Sequence, residues 1–282
     1  MRRTVAAMAA AAILVLAAGA GTAGAQDDEF TRGNGLRDRF RIGVGAFFVN
    51  HKTFARLNPA GSEDIPGIDL EVDTQLPKDQ TDFRLDGHFR ISRRHRLDFG
   101  YWAMNRSAVS QLTGEIEWDD EVFPVDTNIA TVWETAVTRI EYRFSAISRE
   151  NLDLGLSLGL FRMKVTSGIG LGTDQDNVAT DTSQQAPLPM LGAGIEWFFA
   201  PNFVLRAHGQ YLALNISDKF DGSWGEIKAA VEWYPLEKAG VGVGYNFADI
   251  DLDLRNVGEV TKKDFQYQYR FNGPVLYAVL TF

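Results

Sequence analysis

The sequence predicts an all-β fold: a closed, antiparallel, up-and-down transmembrane β-barrel of ten strands, within a range of eight to twelve, preceded by a cleaved signal peptide. Three observations predict it. An export pattern opens the chain, side-chain polarity alternates with period two along most of the remaining length, and no apolar run after residue 25 reaches the roughly 20 residues a membrane helix needs.

The export pattern occupies the first residues. Arg2 and Arg3 precede an apolar stretch from Val5 to Ala20, then the small-residue triplet Ala23, Gly24, Ala25, and the acidic run Asp27, Asp28, Glu29. Charged, apolar and small residues in that order form a secretory signal, with cleavage expected between Ala25 and Gln26. Residues 26–39 then read as a short periplasmic segment and 40–282 as the barrel. Of 28 basic residues the signal removes two, leaving 26 against 37 acidic ones and a formal charge of −11. Nucleic acid is an unsuitable partner for such a chain, because phosphate binding needs clustered Lys and Arg. With no cysteine, an exported chain must rely on packing and backbone pairing rather than disulfides.

The first strand, Phe40 to Phe48, carries Arg41, Gly43 and Gly45 on one face. Phe83, Leu85, Phe89 and Ile91 oppose Arg84, Asp86, His88 and Arg90, and Leu97, Phe99 and Tyr101 oppose Arg96 and Asp98. Thr138, Ile140, Tyr142 and Phe144 oppose Arg139, Glu141 and Arg143. Leucine then occupies 152, 154, 156, 158 and 160 against Asp153, Gly155, Ser157 and Gly159; a helix would scatter those leucines around its whole circumference. The design continues with Ala193, Ile195, Trp197 and Phe199 against Glu196, Phe203 and Leu205 against Arg206 and His208, and Ile227 to Trp233 against Glu226, Lys228 and Glu232. Val241 to Phe247 alternates with glycines, and Leu276, Ala278, Leu280 and Phe282 close the chain.

Four tight links, 92–95, 145–151, 200–202 and 235–238, fit the short periplasmic turns of such a barrel, which puts both ends in the periplasm. The longer links, 55–80, 108–129, 169–187, 218–222 and 254–264, become extracellular. Within the first two, Ile68 to Leu76 and Leu112 to Val122 also look extended, as strands continuing above the bilayer or as an extra pair. Trp and Tyr favour headgroup depth, so Tyr101, Trp102, Trp197, Phe198, Phe199, Trp233, Tyr234, Tyr267 and Tyr269 are read as interfacial girdles.

The last residues, Tyr277, Ala278, Val279, Leu280, Thr281 and Phe282, resemble the terminal-strand signature of bacterial outer-membrane barrels, an aromatic last residue with alternating apolar residues behind it. Across 40–282 the chain is similar to the small OmpA-like and OmpW-like barrels. The resemblance implies outer-membrane localisation, contact with outer-membrane lipid and lipopolysaccharide, and reading of Phe282, Leu280 and Ala278 by the barrel assembly machinery.

The water-facing set holds seven acids, Asp86, Asp98, Glu141, Asp153, Glu196, Glu226 and Glu232, and eight bases, Arg84, Arg90, Arg96, Arg106, Arg139, Arg143, Arg206 and Lys228, with His88 and His208 among them. Near balance in a narrow lumen predicts mutual pairing, because unpaired buried charge is costly. A small-solute pore constricted at Arg84, Asp86, Arg139 and Glu141 is the functional alternative to a purely structural network. The rival class is an enzymatic barrel acting on lipid A or peptides. Lipid A deacylases carry His and Ser two apart on a strand, and none of His51, His88, His95 and His208 has that serine. No catalytic, cofactor or metal residue is assigned. The acidic ladders Asp69, Glu71, Asp73 and Asp249, Asp251, Asp253 suit a divalent cation in principle and a solvated rim in practice. The expected function is a non-enzymatic structural or surface-interaction barrel, with a narrow pore as its variant.

Overall fold

The computed structural model describes residues 38–59, 66–118, 121–172, 182–216, 220–257 and 263–282. The Ala25/Gln26 junction and parts of the loop-end links lie outside them.

Ten long strands form the barrel: β1 (Phe40–Pro59), β3 (Asp79–Arg90), β4 (His95–Gln111), β7 (Asn128–Ser148), β8 (Leu152–Leu171), β9 (Thr182–Ala200), β10 (Phe203–Ile216), β11 (Phe220–Trp233), β12 (Ala239–Val257) and β13 (Lys263–Thr281). Each pairs antiparallel with its chain neighbours, and β1 pairs with β13, so no barrel edge is left open. Closure begins at the last residue: Phe282 N donates to Phe40 O at 2.8 Å, and Arg39 N donates to Phe282 O at 2.8 Å.

Leucine spacing explains how these strands meet lipid. On β8, Leu156, Leu158 and Leu160 are 61%, 57% and 54% exposed on the outer face, which only hydrocarbon makes favourable at that density. Comparable outward side chains on the other strands, among them Phe48, Tyr101, Ile140, Leu191, Tyr211, Ile227, Phe247 and Leu276, continue the belt around the barrel. It spans about nine residues per strand, close to the 9–11 that a tilted strand needs to cross a bilayer.

The strands do not stop there, and β7 runs for 21 residues. Beyond the belt, towards the loop end, the pattern inverts. Leu160 is followed on the same outer face by Arg162 and Lys164, while the inner face changes from Asp153, Gly155 and Ser157 to the buried Phe161, Met163, Val165 and Ile169. On β12 the outer face passes from Phe247 to Asp249, and the inner face from Asn246 to Ala248, Ile250 and Leu252. The lower half is therefore apolar outside and charged inside; the upper half is built like a water-soluble barrel around an apolar core.

That core has its own lid. The two extended-looking segments add no barrel strands. The first makes the short β2 (Ile68–Asp69), which pairs with β1, and a one-turn helix, α1 (Leu70–Asp73). The second makes a separate hairpin, β5 (Ile116–Trp118) and β6 (Glu121–Phe123). Ile68, Leu70, Leu76, Ile116, Trp118 and Phe123 bury themselves in the mouth, with Trp118 edge-on to Trp133 at 6.1 Å.

The girdle reading needs correction. Tyr101, Trp197, Phe199 and Trp233 do face outward, but Trp102, Phe198, Tyr234, Tyr267 and Tyr269 face inward and are buried. Adjacent residues of a strand take opposite faces, so Trp102 and Phe198 could not join their neighbours. Tyr267 and Tyr269 lie above the belt, where apolar side chains turn inward.

Candidate functional site: the charged lumen

All twelve lumen candidates, Arg84, Asp86, His88, Arg90, Asp98, Arg139, Glu141, Arg143, Glu196, Arg206, Glu226 and Lys228, project from barrel strands into the lower lumen, and the structure gathers them into two linked clusters. Nearest the turn end, Arg206 bridges Glu196 at 2.6 Å and Glu232 at 2.7 Å. Arg41 closes on Glu232, which also accepts from Tyr234 Oη at 2.6 Å and Tyr277 Oη at 2.8 Å. Arg96 joins Glu196 to Asp98, the latter at 2.8 Å, and Arg90 faces Asp153 at 3.8 Å.

The second cluster lies higher and centres on Asp86, which takes Arg84 and Arg139, each at 3.0 Å, together with Lys228. Arg84 also reaches Glu226 at 3.2 Å, and Arg139 reaches Glu141 at 3.4 Å. The proposed constriction residues thus meet one another. Immediately above them the lumen turns aromatic: the Arg84 guanidinium lies 4.7 Å over Trp102 and 5.6 Å over Phe47, and Trp224 packs on Phe161 at 5.2 Å. Trp102, Trp133, Trp224, Tyr267, Tyr269 and Phe265 fill the section from there to the lid.

Glycine makes room for this network. A Cβ on Gly45 would fall 2.1 Å from Leu276 O, and one on Gly242 would fall 2.3 Å from the Tyr277 ring. The glycines that read simply as the polar face of β1 and β12 are thus the space in which Tyr277 reaches Glu232.

Arg106, which the sequence placed with the lower charges, lies instead under the lid. It pairs with Glu71 of α1 and donates to Thr53 Oγ1 at 2.7 Å; Glu71 also accepts from Thr53 N at 2.7 Å and Thr53 Oγ1 at 2.8 Å. The Asp69, Glu71, Asp73 ladder is therefore no ladder. Asp69 caps α1 by accepting from Val72 N at 3.2 Å, Glu71 binds Arg106, and Asp73 accepts from Asp69 N at 2.8 Å. Asp249, Asp251 and Asp253 do share the outer face of β12, where Arg270 holds Asp249 at 2.6 Å; burial and the neighbouring aspartates push the Asp251 carboxyl up.

Near Arg106, His51 Nδ1 lies 2.6 Å from Tyr269 Oη. Burial, then the nearby Arg106 charge, lowers His51 to about 3. Asp82, one residue beyond the outward Phe83, is raised to about 7, chiefly by burial.

Sequence reasoning missed Arg41, Glu71 and Tyr277 as charge partners. Parity from Phe40 onward puts Arg41 on the inner face, and that signal was readable. Nothing local tells that α1 folds into the mouth.

One grouping has the composition of a hydrolase: Ser157 Oγ stands 3.2 Å from His208 Nε2, and Glu141 Oε2 stands 3.5 Å from the same nitrogen. A nucleophile–base–orienter relay uses both ring nitrogens, one for the serine and one for the carboxylate. Here both partners compete for one, so the group reads as a polar contact. No set of three or more metal-ligating side chains occurs among the described residues.

The fold is that of a bacterial outer-membrane β-barrel. The outer-membrane protease OmpT from Escherichia coli matches at a TM-score of 0.55 and 10% identity, over 86% of this chain and 96% of that one. The translocator domain of the autotransporter NalP from Neisseria meningitidis gives 0.44 at 11% identity, covering 98% and 96%; the outer-membrane protein OprG from Pseudomonas aeruginosa gives 0.38 at 7%, covering 87% and 97%. No protein-family model and no curated protein matches the sequence. Because a protease shares the architecture, fold alone does not decide between catalytic and non-catalytic use.

Proposed function

We propose that this protein is a non-enzymatic, non-conducting outer-membrane barrel whose lower half anchors it and whose upper half stands outside the cell as a rigid interaction platform. One observation carries the reading: the polarity of the barrel inverts at the top of the belt, so that the upper lumen is a packed aromatic core under a folded lid. Among the described residues, buried aromatic side chains fill that section of the lumen and close it to water, and a wettable outer wall above the membrane is a surface fit for contact with solutes, lipopolysaccharide or other macromolecules.

In this reading both chain ends and the four tight turns are periplasmic. Phe282, Leu280 and Ala278 present the assembly signal on the lipid side of β13, and outer-membrane lipid and lipopolysaccharide meet the belt and the cations just above it. The lower charge network holds the wall strands together and passes no ions.

Planar-bilayer recording on refolded protein tests the proposal. A membrane that stays silent through repeated insertions is expected, while discrete steps altered by Arg84→Ala or Glu141→Ala would establish the pore instead. Unchanged lipid A on overexpression is the matching expectation against the enzymatic reading.

A further inference from the structure

We infer that the lower lumen binds one small monovalent anion, of halide or nitrate size, beside Arg143.

At membrane depth the barrel strands contribute eight cations to the lumen, Arg41, Arg84, Arg90, Arg96, Arg139, Arg143, Arg206 and Lys228, and seven carboxylates, Asp86, Asp98, Glu141, Asp153, Glu196, Glu226 and Glu232. Seven of the cations match the seven carboxylates: Arg41 and Arg206 with Glu232 and Glu196, Arg96 with Asp98, Arg84 with Glu226, Arg139 with Glu141, Lys228 with Asp86, and Arg90 with Asp153. Arg143 is left over. It stands 3.7 Å from Glu196 and 3.9 Å from Asp98, much as Arg90 stands from Asp153 at 3.8 Å, but both of its carboxylates already hold closer arginines, Arg96 and Arg206.

Geometry agrees with the count. Arg143 is 3% exposed, and its Nε and Nη2 have no hydrogen-bond partner. The guanidinium is seated by glycine: a Cβ on Gly194 would fall 1.6 Å from Nη2, and one on Gly155 would fall 2.9 Å from Arg143 Cγ. Two neighbouring strands have given up side chains to hold it, which ties this position to the arginine. It borders a cavity of about 90 Å³, enough for several waters or for an anion with part of its shell. Arg41, Arg96, Arg139, Arg206 and Lys228 line the same space and outnumber its three carboxylates, Asp86, Asp98 and Glu196; His88, whose buried Nε2 is also without a partner, lines it too. Lys228 and His208 keep 19% and 18% of their side-chain surface open to it. A buried guanidinium whose neighbouring carboxylates are shared with closer arginines, and whose own N–H groups are unpaired, is strongly disfavoured. Among ligands, a small anion supplies the missing charge and accepts from the idle N–H groups at the same time, and a second negative charge would overshoot the count.

Thermal unfolding of the full-length protein in detergent tests this, with sodium gluconate exchanged for sodium bromide at constant ionic strength. A saturable rise in Tm is expected, roughly 5–10 °C at a hundredfold excess over Kd, together with its disappearance in Arg143→Met. Equal Tm in the two salts, or a bromide dependence that survives in Arg143→Met, would overturn the site. If that variant does not refold, anomalous diffraction from bromide-grown crystals of the unaltered protein decides: a peak beside Arg143 upholds the site and its absence rejects it. The outcome is independent of the bilayer recording, since a bound ion in a blocked lumen carries no current.

Discussion

Arg106, buried at the mouth, shows how much depends on single partners. Its guanidinium is held by Glu71 and Thr53, residues brought to it by the lid and by β1. Glu71→Ala leaves the cation buried without a counter-charge, at a cost of about 3–5 kcal/mol. The expected result is a lower unfolding midpoint together with proteolytic sensitivity in 66–78, where the unaltered lid is protected. His51 and Asp82 make a second prediction, about pH. The folded state keeps His51 neutral down to about 3, whereas the unfolded state protonates near 6.5, so stability falls as pH drops through that window. Asp82 is protonated up to about 7 in the folded state and ionises near 3.8 when unfolded, so its contribution is complete below 3.8 and disappears as pH rises to 7. The slopes oppose one another between about 4 and 6.5, each limited to about 1.4 kcal/mol per pH unit. Denaturant titrations across that range are expected to show stability rising on acidification in His51→Gln and falling in Asp82→Asn, with the unaltered protein flatter than either.

Strands and hairpins add what no single residue holds. The hairpin β5–β6 is too short to be stable in water by itself; it persists because Ile116, Trp118 and Phe123 complete the core beneath it. Trp118→Ala removes the largest of these and is expected to cost about 3–5 kcal/mol, read as a shifted denaturation midpoint, while the barrel strands keep their far-ultraviolet signature. At the other end, β13 closes the ring through Phe282. Deleting that residue removes its donor to Phe40 O and the carbonyl that receives Arg39 and Phe40. A several-fold drop in the heat-modifiable, membrane-inserted form on a gel is the expected outcome, with normal insertion as the contrary result.

For the whole molecule, the inversion of polarity sets the depth of insertion, and two substitutions on one strand measure it. Leu156→Arg places a charge in the middle of the belt and is expected to cost about 2–4 kcal/mol. Arg162→Leu, three outward positions higher on the same face, is expected to change stability by less than 1 kcal/mol. Reversible unfolding in lipid vesicles distinguishes them; equal costs would move the membrane boundary from where Leu160 meets Arg162.

Period two was enough to settle strand identity and which residues enter the lower lumen, because in a barrel one parity of each strand must meet lipid and the other must avoid it. Arg84, Asp86, Glu141 and Glu196 were legible for that reason. The same pattern left the crossings between eight and twelve, and the structure made them ten by folding the two extended-looking loop segments into the mouth. Parity carries no sign of its own, however, and where the chain leaves the bilayer the favourable direction for an apolar side chain reverses. Only the three-dimensional structure therefore decided that Tyr267, Tyr269 and Trp102 form a core rather than a girdle, and that Glu71 reaches Arg106 from a folded-in lid. The same holds for Arg143, whose lack of a carboxylate depends on how side chains from non-adjacent strands share one interior, a pairing that no local stretch of sequence encodes.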